Sequence, residues 1–442
     1  MNVLIDLVYV LALIAISPVA IYRMLRHNRY RAGWRNRFGH ISRKQPGKKC
    51  IWIHAVSVGE VNATTTIIRE LQTKFPDYEI VVSTTTDTGF ARANTLFAKR
   101  LSVFYFPMDF SLTMRRAFAN IRPSLILLME LEVWPNLVRI AHQSGIPVIV
   151  VNGRISDRGF ARYKLVKSLV KKTFQKVTLI LAQTDEYANK FRQLGSDSGK
   201  VIVTGSIKYD TAQIADTVEG ADILAEQLFG KIGNQQSAIG NRLWVAGGTG
   251  DGEEQIILDV YRRLIEQKQF ADLRLAIVPR KPERFNEVAD LIKQSGFGLI
   301  RYSEIKSASK SISNHKSAIS NVVIGDTMGD LRKFYSLATV VFVGRSLVPM
   351  GGSDMMESAA LGKCTIFGPY TFNFNQAVEA LLKGNGAILV KNADELFNAM
   401  TKCLTDLAYA SQIARNGQQI IRKNQGATSR TITHITNLMN AG

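Results

Sequence analysis

The sequence predicts an α/β protein of two doubly wound lobes behind an N-terminal membrane-anchor helix, and three observations carry that prediction. The chain has 442 residues, too many for one ordinary domain. From residue 50 onward, short β-branched runs alternate with longer helical patterns in two successive series, as parallel sheet covered on both faces does. Ahead of both series lies an apolar stretch of bilayer length.

That stretch, residues 3–22, is apolar apart from Asp6, with Pro18 near its end. As a helix of about 20 residues it spans roughly 30 Å, the thickness of a bilayer core. A cleaved signal peptide carries its charge before the apolar run, whereas here the charge comes after. Residues 1–22 are therefore expected to be an uncleaved anchor with the lobes in the cytoplasm. Asp6 and Pro18 leave an oblique or interfacial helix as the alternative. Residues 23–49 follow as a basic juxtamembrane segment that holds ten of the 56 Lys and Arg, interleaved with Tyr30 and Trp34. Against 36 Asp and Glu the formal charge is +20, which favours anionic partners. No RNA-binding aromatic signature or helix-turn-helix pattern accompanies the cations, so an anionic membrane surface is expected and nucleic acid is not. Cys50, Cys364 and Cys403 are far apart with no CxxC, and the six histidines are scattered. Neither a disulfide framework nor a metal site is expected.

The first lobe is assigned to residues 50–210. Its strand runs are 50–55, 79–83, 125–129, 146–151, 179–182 and 201–204, with a helical pattern such as 61–75 between them. In such sheets ligands bind beyond the carboxyl ends of the strands, so the residues after each run are the candidates. Glu60 closes the loop Ser57-Val58-Gly59-Glu60 at a helix start; it is either functional or a carboxylate complementing the helix dipole. Glu130 and Glu132 follow the run 125–129, a position where carboxylates rarely serve packing. Arg154, in Asn152-Gly153-Arg154, and Lys208, in Gly205-Ser206-Ile207-Lys208, bring cations to the same rim, to bind a substrate anion or to stay solvated.

Residues 211–241 carry little strand signal and read as the inter-lobe connection. The second lobe, 242–442, has runs at 243–246, 273–278, 298–301, 322–325, 340–343 and 364–367, an exposed Ser- and Lys-rich loop at 303–320, and C-terminal helices. Its glycine-rich turn, residues 246–254, suits a phosphate through free backbone N–H groups but is not a Walker loop. Pro279 and Arg280, Asp326 to Asp330, and Gly351 to Glu357 also follow strand runs. Ordinary loop-to-helix turn chemistry is the competing reading for each.

Taken in order, these stretches resemble the Kdo (3-deoxy-D-manno-octulosonic acid) transferases over almost the whole chain. The likeness runs through the N-terminal anchor, Arg37-Phe38-Gly39, Ser57 to Glu60, Thr84 to Gly89, Glu130 to Asn136, Asn152 to Arg154 and Gly205 to Lys208. It continues in Val278-Pro279-Arg280, Asp326 to Gly329 and Gly351 to Glu357. The resemblance implies a GT-B fold, CMP-Kdo as donor, a lipid A precursor (lipid IVA) as acceptor, and inversion at the anomeric carbon without metal or cofactor. It implies work at the inner (cytoplasmic) membrane in lipopolysaccharide biosynthesis. It makes Glu60 the general base and gives Glu130 and Lys208 a share in stabilising the transition state. Pro279, Arg280, Met328, Gly329, Asp330, Asp354, Met355, Met356 and Glu357 would line the CMP pocket.

The donor lobe departs from the family pattern. Gly248 and Gly250 stand where the family usually has Ser and His, Lys281 stands where it has His, and Ser353, Asp354, Met355 and Met356 replace His-Asn-Pro-Leu. Two alternatives follow: a transferase using a different nucleotide-activated sugar on a membrane lipid, or a degenerate, non-catalytic binding protein. Retention of Glu60 speaks against the second. The sequence leaves open the number of sugars added, the acceptor hydroxyl and the oligomeric state.

Overall fold

Residues 50–54, Cys-Ile-Trp-Ile-His, are buried to the last side chain. A run this apolar and β-branched is stable only as a central strand covered on both faces. In the computed structural model, which describes residues 5–11, 14, 17, 18, 22, 26, 32–229, 242–308 and 321–440, it is that strand. The chain divides into two compact units, Met1–Thr211 with Gln425–Gly442, and Ala212–Asn424.

The first unit holds a parallel sheet of β1 (Lys49–His54), β2 (Tyr78–Thr84), β3 (Ser102–Tyr105), β4 (Leu125–Met129), β5 (Val148–Gly153), β6 (Leu179–Ala182) and β7 (Val201–Val203), in the order β3-β2-β1-β4-β5-β6-β7. Alternate residues feed opposite faces, as a pleated strand requires. Trp52, Ile126, Leu128 and Val150 join one apolar cluster, while Ile51, Ile53, Leu127 and Val151 join the other. The second unit repeats the plan with β8 (Leu243–Thr249), β9 (Arg274–Pro279), β10 (Gly298–Arg301), β11 (Asn321–Ile324), β12 (Val340–Val343), β13 (Cys364–Phe367) and β14 (Ile388–Leu389), in the order β10-β11-β9-β8-β12-β13-β14. Two doubly wound parallel sheets are thus present, as expected. The short strands β3 and β14 escaped the sequence reading, and residues 303–308, expected to begin a loop, lie in the helix Tyr302–Ala308. The remainder of that expected loop, 309–320, lies outside the described residues.

The termini depart from a simple division at residues 211–241. The helix Ala221–Phe229 belongs to the second unit, and the last helix, Ala427–Asn440, packs on the first. Asp210 accepts the N–H groups of Gly426 (2.7 Å) and Thr428 (2.5 Å), and Ala427, Ile432 and Ile435 enter the cluster that holds Ile67 and Leu71.

The expected anchor, 1–22, falls partly outside the described residues, and no helix among the described residues is long and apolar enough to cross a membrane. Residues 5–11 are helical and tied to the first unit. Asp6 Oδ1 accepts Ser111 N–H and Asn136 Nδ2, both at 3.0 Å, and Tyr9 Oη donates to Asp109 Oδ2 at 2.9 Å. The basic segment is likewise only in part a free collar. Arg43 is buried against Glu79 (2.8 Å) and donates to Ile121 O, and Arg37 lies over the Tyr105 ring.

Candidate active site

Strand order reverses at β1 and β4 in the first sheet, and the carboxyl ends beside such a reversal are where doubly wound sheets bind ligands. The chain leaving β1 turns at Ser57, which caps the helix Val58–Lys74. That helix begins three residues earlier than the apolar pattern suggested, so Glu60 occupies its third position. Glu60 Oε1 accepts the Ser57 hydroxyl at 2.8 Å and Glu60 Oε2 accepts Val56 N–H at 2.9 Å, while Ser57 Oγ accepts Glu60 N–H at 3.4 Å. This is a capping box. Burial raises the Glu60 carboxyl above its ordinary range; donation from Val56 and Ser57 opposes the shift, and the nearby charge of Glu130 adds to it.

Glu130, immediately after β4, is left-handed at φ 53°, a conformation that costs a non-glycine residue on the order of 1 kcal/mol or more. Its N–H donates to Val151 O at 2.9 Å. The strained backbone carries a carboxylate whose Oε2 lies 3.5 Å from Arg154 Nε and whose Oε1 lies 3.9 Å from Lys208 Nζ. Asn152, also left-handed at φ 57°, accepts Ile207 N–H on its Oδ1 at 3.1 Å and so fixes the loop before Lys208 to the end of β5. The three residues expected to carry catalysis, Glu60, Glu130 and Lys208, therefore come to one rim with Arg154 beside them.

Glu132, noted in the sequence without a role, adds a third carboxyl. Burial pushes it up to about 7, helped by the charges of Glu60 and Glu130 and opposed by the Trp134 indole N–H, which donates at 3.0 Å. His54 Nε2 stands 3.9 Å from it. Burial lowers that imidazole to about 3, so it is neutral. Beside Glu132 opens a pocket of about 340 Å³ walled by Tyr9, Leu131, Trp134, Tyr163, Val170 and Phe174 among others.

In the second unit the corresponding reversal lies at β8 and β12. Glu253, fully buried, accepts the N–H groups of Ser346 (3.0 Å) and Leu347 (2.9 Å) and ties the turn after β8 to the loop after β12. Gly248, at φ 67°, and Ser353 are fitted to each other. A Cβ on the glycine would sit 2.5 Å from Ser353 Oγ, and that hydroxyl donates to Gly248 O at 2.7 Å. Two of the departures from the family pattern are thus in contact with each other.

Pro279 ends β9, and Arg280 N–H donates to Thr249 O at 3.1 Å. Asp354 caps the helix Met355–Ala360 through Met356 N–H at 2.9 Å. Glu357 is raised to about 7 by burial and by Asp354, against the pull of Arg332 and Arg280, so these four side chains form one electrostatic group. Three of the expected pocket residues have side chains turned into the protein. Met355 and Met356 are 0% and 2% exposed, their side chains in the core because that face of the short helix packs inward. Burial would push Asp330 up, but donation by Lys306 (2.7 Å), Thr327 (2.6 Å) and Lys333 (3.0 Å) outweighs it and holds the carboxyl down at about 2. Met328 is 66% exposed and Gly329, at φ 93°, has open space around it. Among the described residues no group of three or more His, Cys, Asp or Glu has the arrangement of a metal site.

Residues 32–211 match the family model described as 3-deoxy-D-manno-octulosonic-acid transferase (kdotransferase). The chain is 33% identical over 406 residues to the 3-deoxy-D-manno-octulosonic acid transferase of Haemophilus influenzae, covering 91% of each. Two solved structures share the fold at low identity. UDP-GlcNAc 2-epimerase from Neisseria meningitidis aligns with TM-score 0.54 at 15% identity over 88% of this chain and all of that one. MurG from Acinetobacter baumannii aligns with TM-score 0.51 at 12% identity, over 88% and 99%. The two parallel-sheet lobes resemble those of the GT-B fold.

Proposed function

The chain belongs to the Kdo transferase family and is a glycosyltransferase, and from that premise we propose that it moves Kdo from CMP-Kdo to a lipid A precursor, with inversion and without a metal. The observation that carries this reading is the convergence of Glu60, Glu130 and Lys208 at the reversal point of the first sheet. Glu60 is the base. Its carboxylate takes the proton of the acceptor hydroxyl as that oxygen bonds to the anomeric carbon of Kdo. The bond from that carbon to the CMP phosphate oxygen breaks, and the pair leaves with CMP. A carboxyl raised by burial is a stronger base than one in water, so transfer of the hydroxyl proton is less uphill. Lys208 and Arg154 place positive charge beside Glu130, where they steady the negative charge that develops on the departing phosphate. In the second unit Arg280 and the Asp354–Glu357 helix start receive the nucleotide. The membrane-facing N-terminal segment, residues 1–22, keeps the enzyme at the cytoplasmic face of the inner membrane, where a lipid acceptor resides.

The capping box does not compete with this role. Each oxygen of Glu60 receives one donor, and a carboxylate has further lone pairs to offer. A second reading, a different activated sugar on the same kind of acceptor, is favoured by the altered pair Gly248 and Ser353. Full-length protein supplied with CMP-Kdo generated in situ, a tetraacylated lipid A precursor and EDTA tests both. Product mass gains of one or more Kdo units are expected. A folded preparation that gives no product with CMP-Kdo but does so with another activated sugar moves the assignment to the second reading.

A further inference from the structure

The helices Asp157–Leu165 and Lys167–Phe174 take no part in the chemistry proposed above, yet their composition is one-sided. Residues 157–176 contain seven cations, Arg158, Arg162, Lys164, Lys167, Lys171, Lys172 and Lys176, against one acid. That acid, Asp157, shares Lys190 with Glu186, at 2.7 Å and 2.5 Å. At the elbow between the helices Leu165 is 87% exposed and Val166 50% exposed. The opposite side of the pair faces inward, with Phe174 buried and Tyr163 and Val170 packed on the core of the first unit. An exposed leucine amid cations gains nothing in water. At a headgroup layer it inserts while lysine stems lie along the apolar boundary and their ammonium groups meet phosphates.

A second exposed apolar surface borders the first. Leu7, Val8 and Leu11 of the N-terminal helical residues are 50–59% exposed, and Tyr9 between them walls the same pocket as Tyr163, Val170 and Phe174. The two elements are therefore neighbours on the first unit, and both turn apolar side chains outward. We propose that the elbow at Leu165–Val166, with its ring of cations, is a second bilayer-contacting element of this chain, docking on anionic phospholipid beside the N-terminal segment. The inference extends the reading of a membrane-lipid acceptor and does not depend on which sugar is moved.

The three native cysteines are buried, so a single introduced thiol can be labelled in the full chain. Leu165→Cys carrying an environment-sensitive NBD group is reconstituted into vesicles of phosphatidylglycerol with phosphatidylcholine, and into phosphatidylcholine alone. Asp77→Cys, exposed at the amino-terminal edge of the same sheet, is the reference. A blue shift and loss of iodide quenching at 165 in the anionic vesicles, smaller in the neutral ones and absent at 77, is expected. Water-like emission at 165 in anionic vesicles, or the same response at 165 and 77, overturns the proposal. An equal shift at 165 in both lipids overturns the assignment to anionic headgroups. Sugar transfer is not read, so a failure here is told apart from a failure of the transferase reading.

Discussion

Replacing Glu60 separates its two roles because the two variants differ in what they keep. In Glu60→Gln the amide oxygen still accepts Val56 N–H and the NH₂ can donate to Ser57 Oγ, so both contacts of the capping box have a substitute. Stability is expected to change by no more than about 1 kcal/mol. The amide cannot take a proton, and loss of a positioned general base costs roughly 10²- to 10⁴-fold in rate. In Glu60→Ala both contacts vanish and Val56 N–H loses its acceptor. The stability cost is about 1–3 kcal/mol, which for a unit of this size lowers the Tm by roughly 2–12 °C. The assay pairs kcat for Kdo transfer with a thermal melt of the same preparations. The expectation is two variants equally inactive and unequally stable. Glu60→Gln that turns over at near wild-type rate would falsify the assignment and leave Glu60 as a helix cap alone.

Two further outcomes follow from the electrostatics and the backbone. Glu132 binds its proton more tightly in the folded protein, at about 7 against an ordinary 4.5, so both states are protonated below 4.5 and the folded state bears the full cost of ionisation above 7. Stability from this group is therefore lost as pH rises from 4.5 through 7, and Glu132→Gln is expected to gain up to about 3 kcal/mol on the parent over that window, read as denaturant midpoints at pH 5 and pH 8; a constant difference between the two pH values contradicts it. Gly248→Ala forces a side chain into a left-handed residue and against Ser353, for a loss of about 2–3 kcal/mol. Adding Ser353→Gly removes the crowding but not the strain, so the double variant is expected to recover about 1 kcal/mol, whereas strict additivity would show that the two positions are not fitted.

The sheets were legible because their inner strands are continuous apolar runs, and 125–129, 179–182, 340–343 and 364–367 fall where the sequence places them. Two of the four edge strands were not: Ile388–Leu389 is two residues long, and Ser102–Tyr105 has a single β-branched residue, so neither makes a β-branched run. At the candidate site, the meeting of Glu60, Glu130 and Lys208 at one rim was readable from their place after strands. What was hidden depends on three-dimensional meeting rather than spacing. Asn152 holds the Lys208 loop across 55 positions, and Ser353 meets Gly248 across 105. The Asp6–Asn136 bond, across 130 positions, turned a charge that looked out of place in an anchor into a fixed contact. The burial of Met355 and Met356 was hidden for a related reason, since a motif position does not reveal which side of a short helix faces the core.

The return of the last helix to the first unit has a consequence for synthesis. During translation the cluster holding Ile67 and Leu71 is complete except for Ala427, Ile432 and Ile435. These arrive only after the whole second unit has left the ribosome, an interval of roughly 10–40 s at ordinary elongation rates. For that time the nascent first unit carries an uncovered apolar seam, a natural substrate for a holding chaperone. A premature stop shortly before residue 425 would therefore spare the second unit and leave the first one, the earlier made, unfinished.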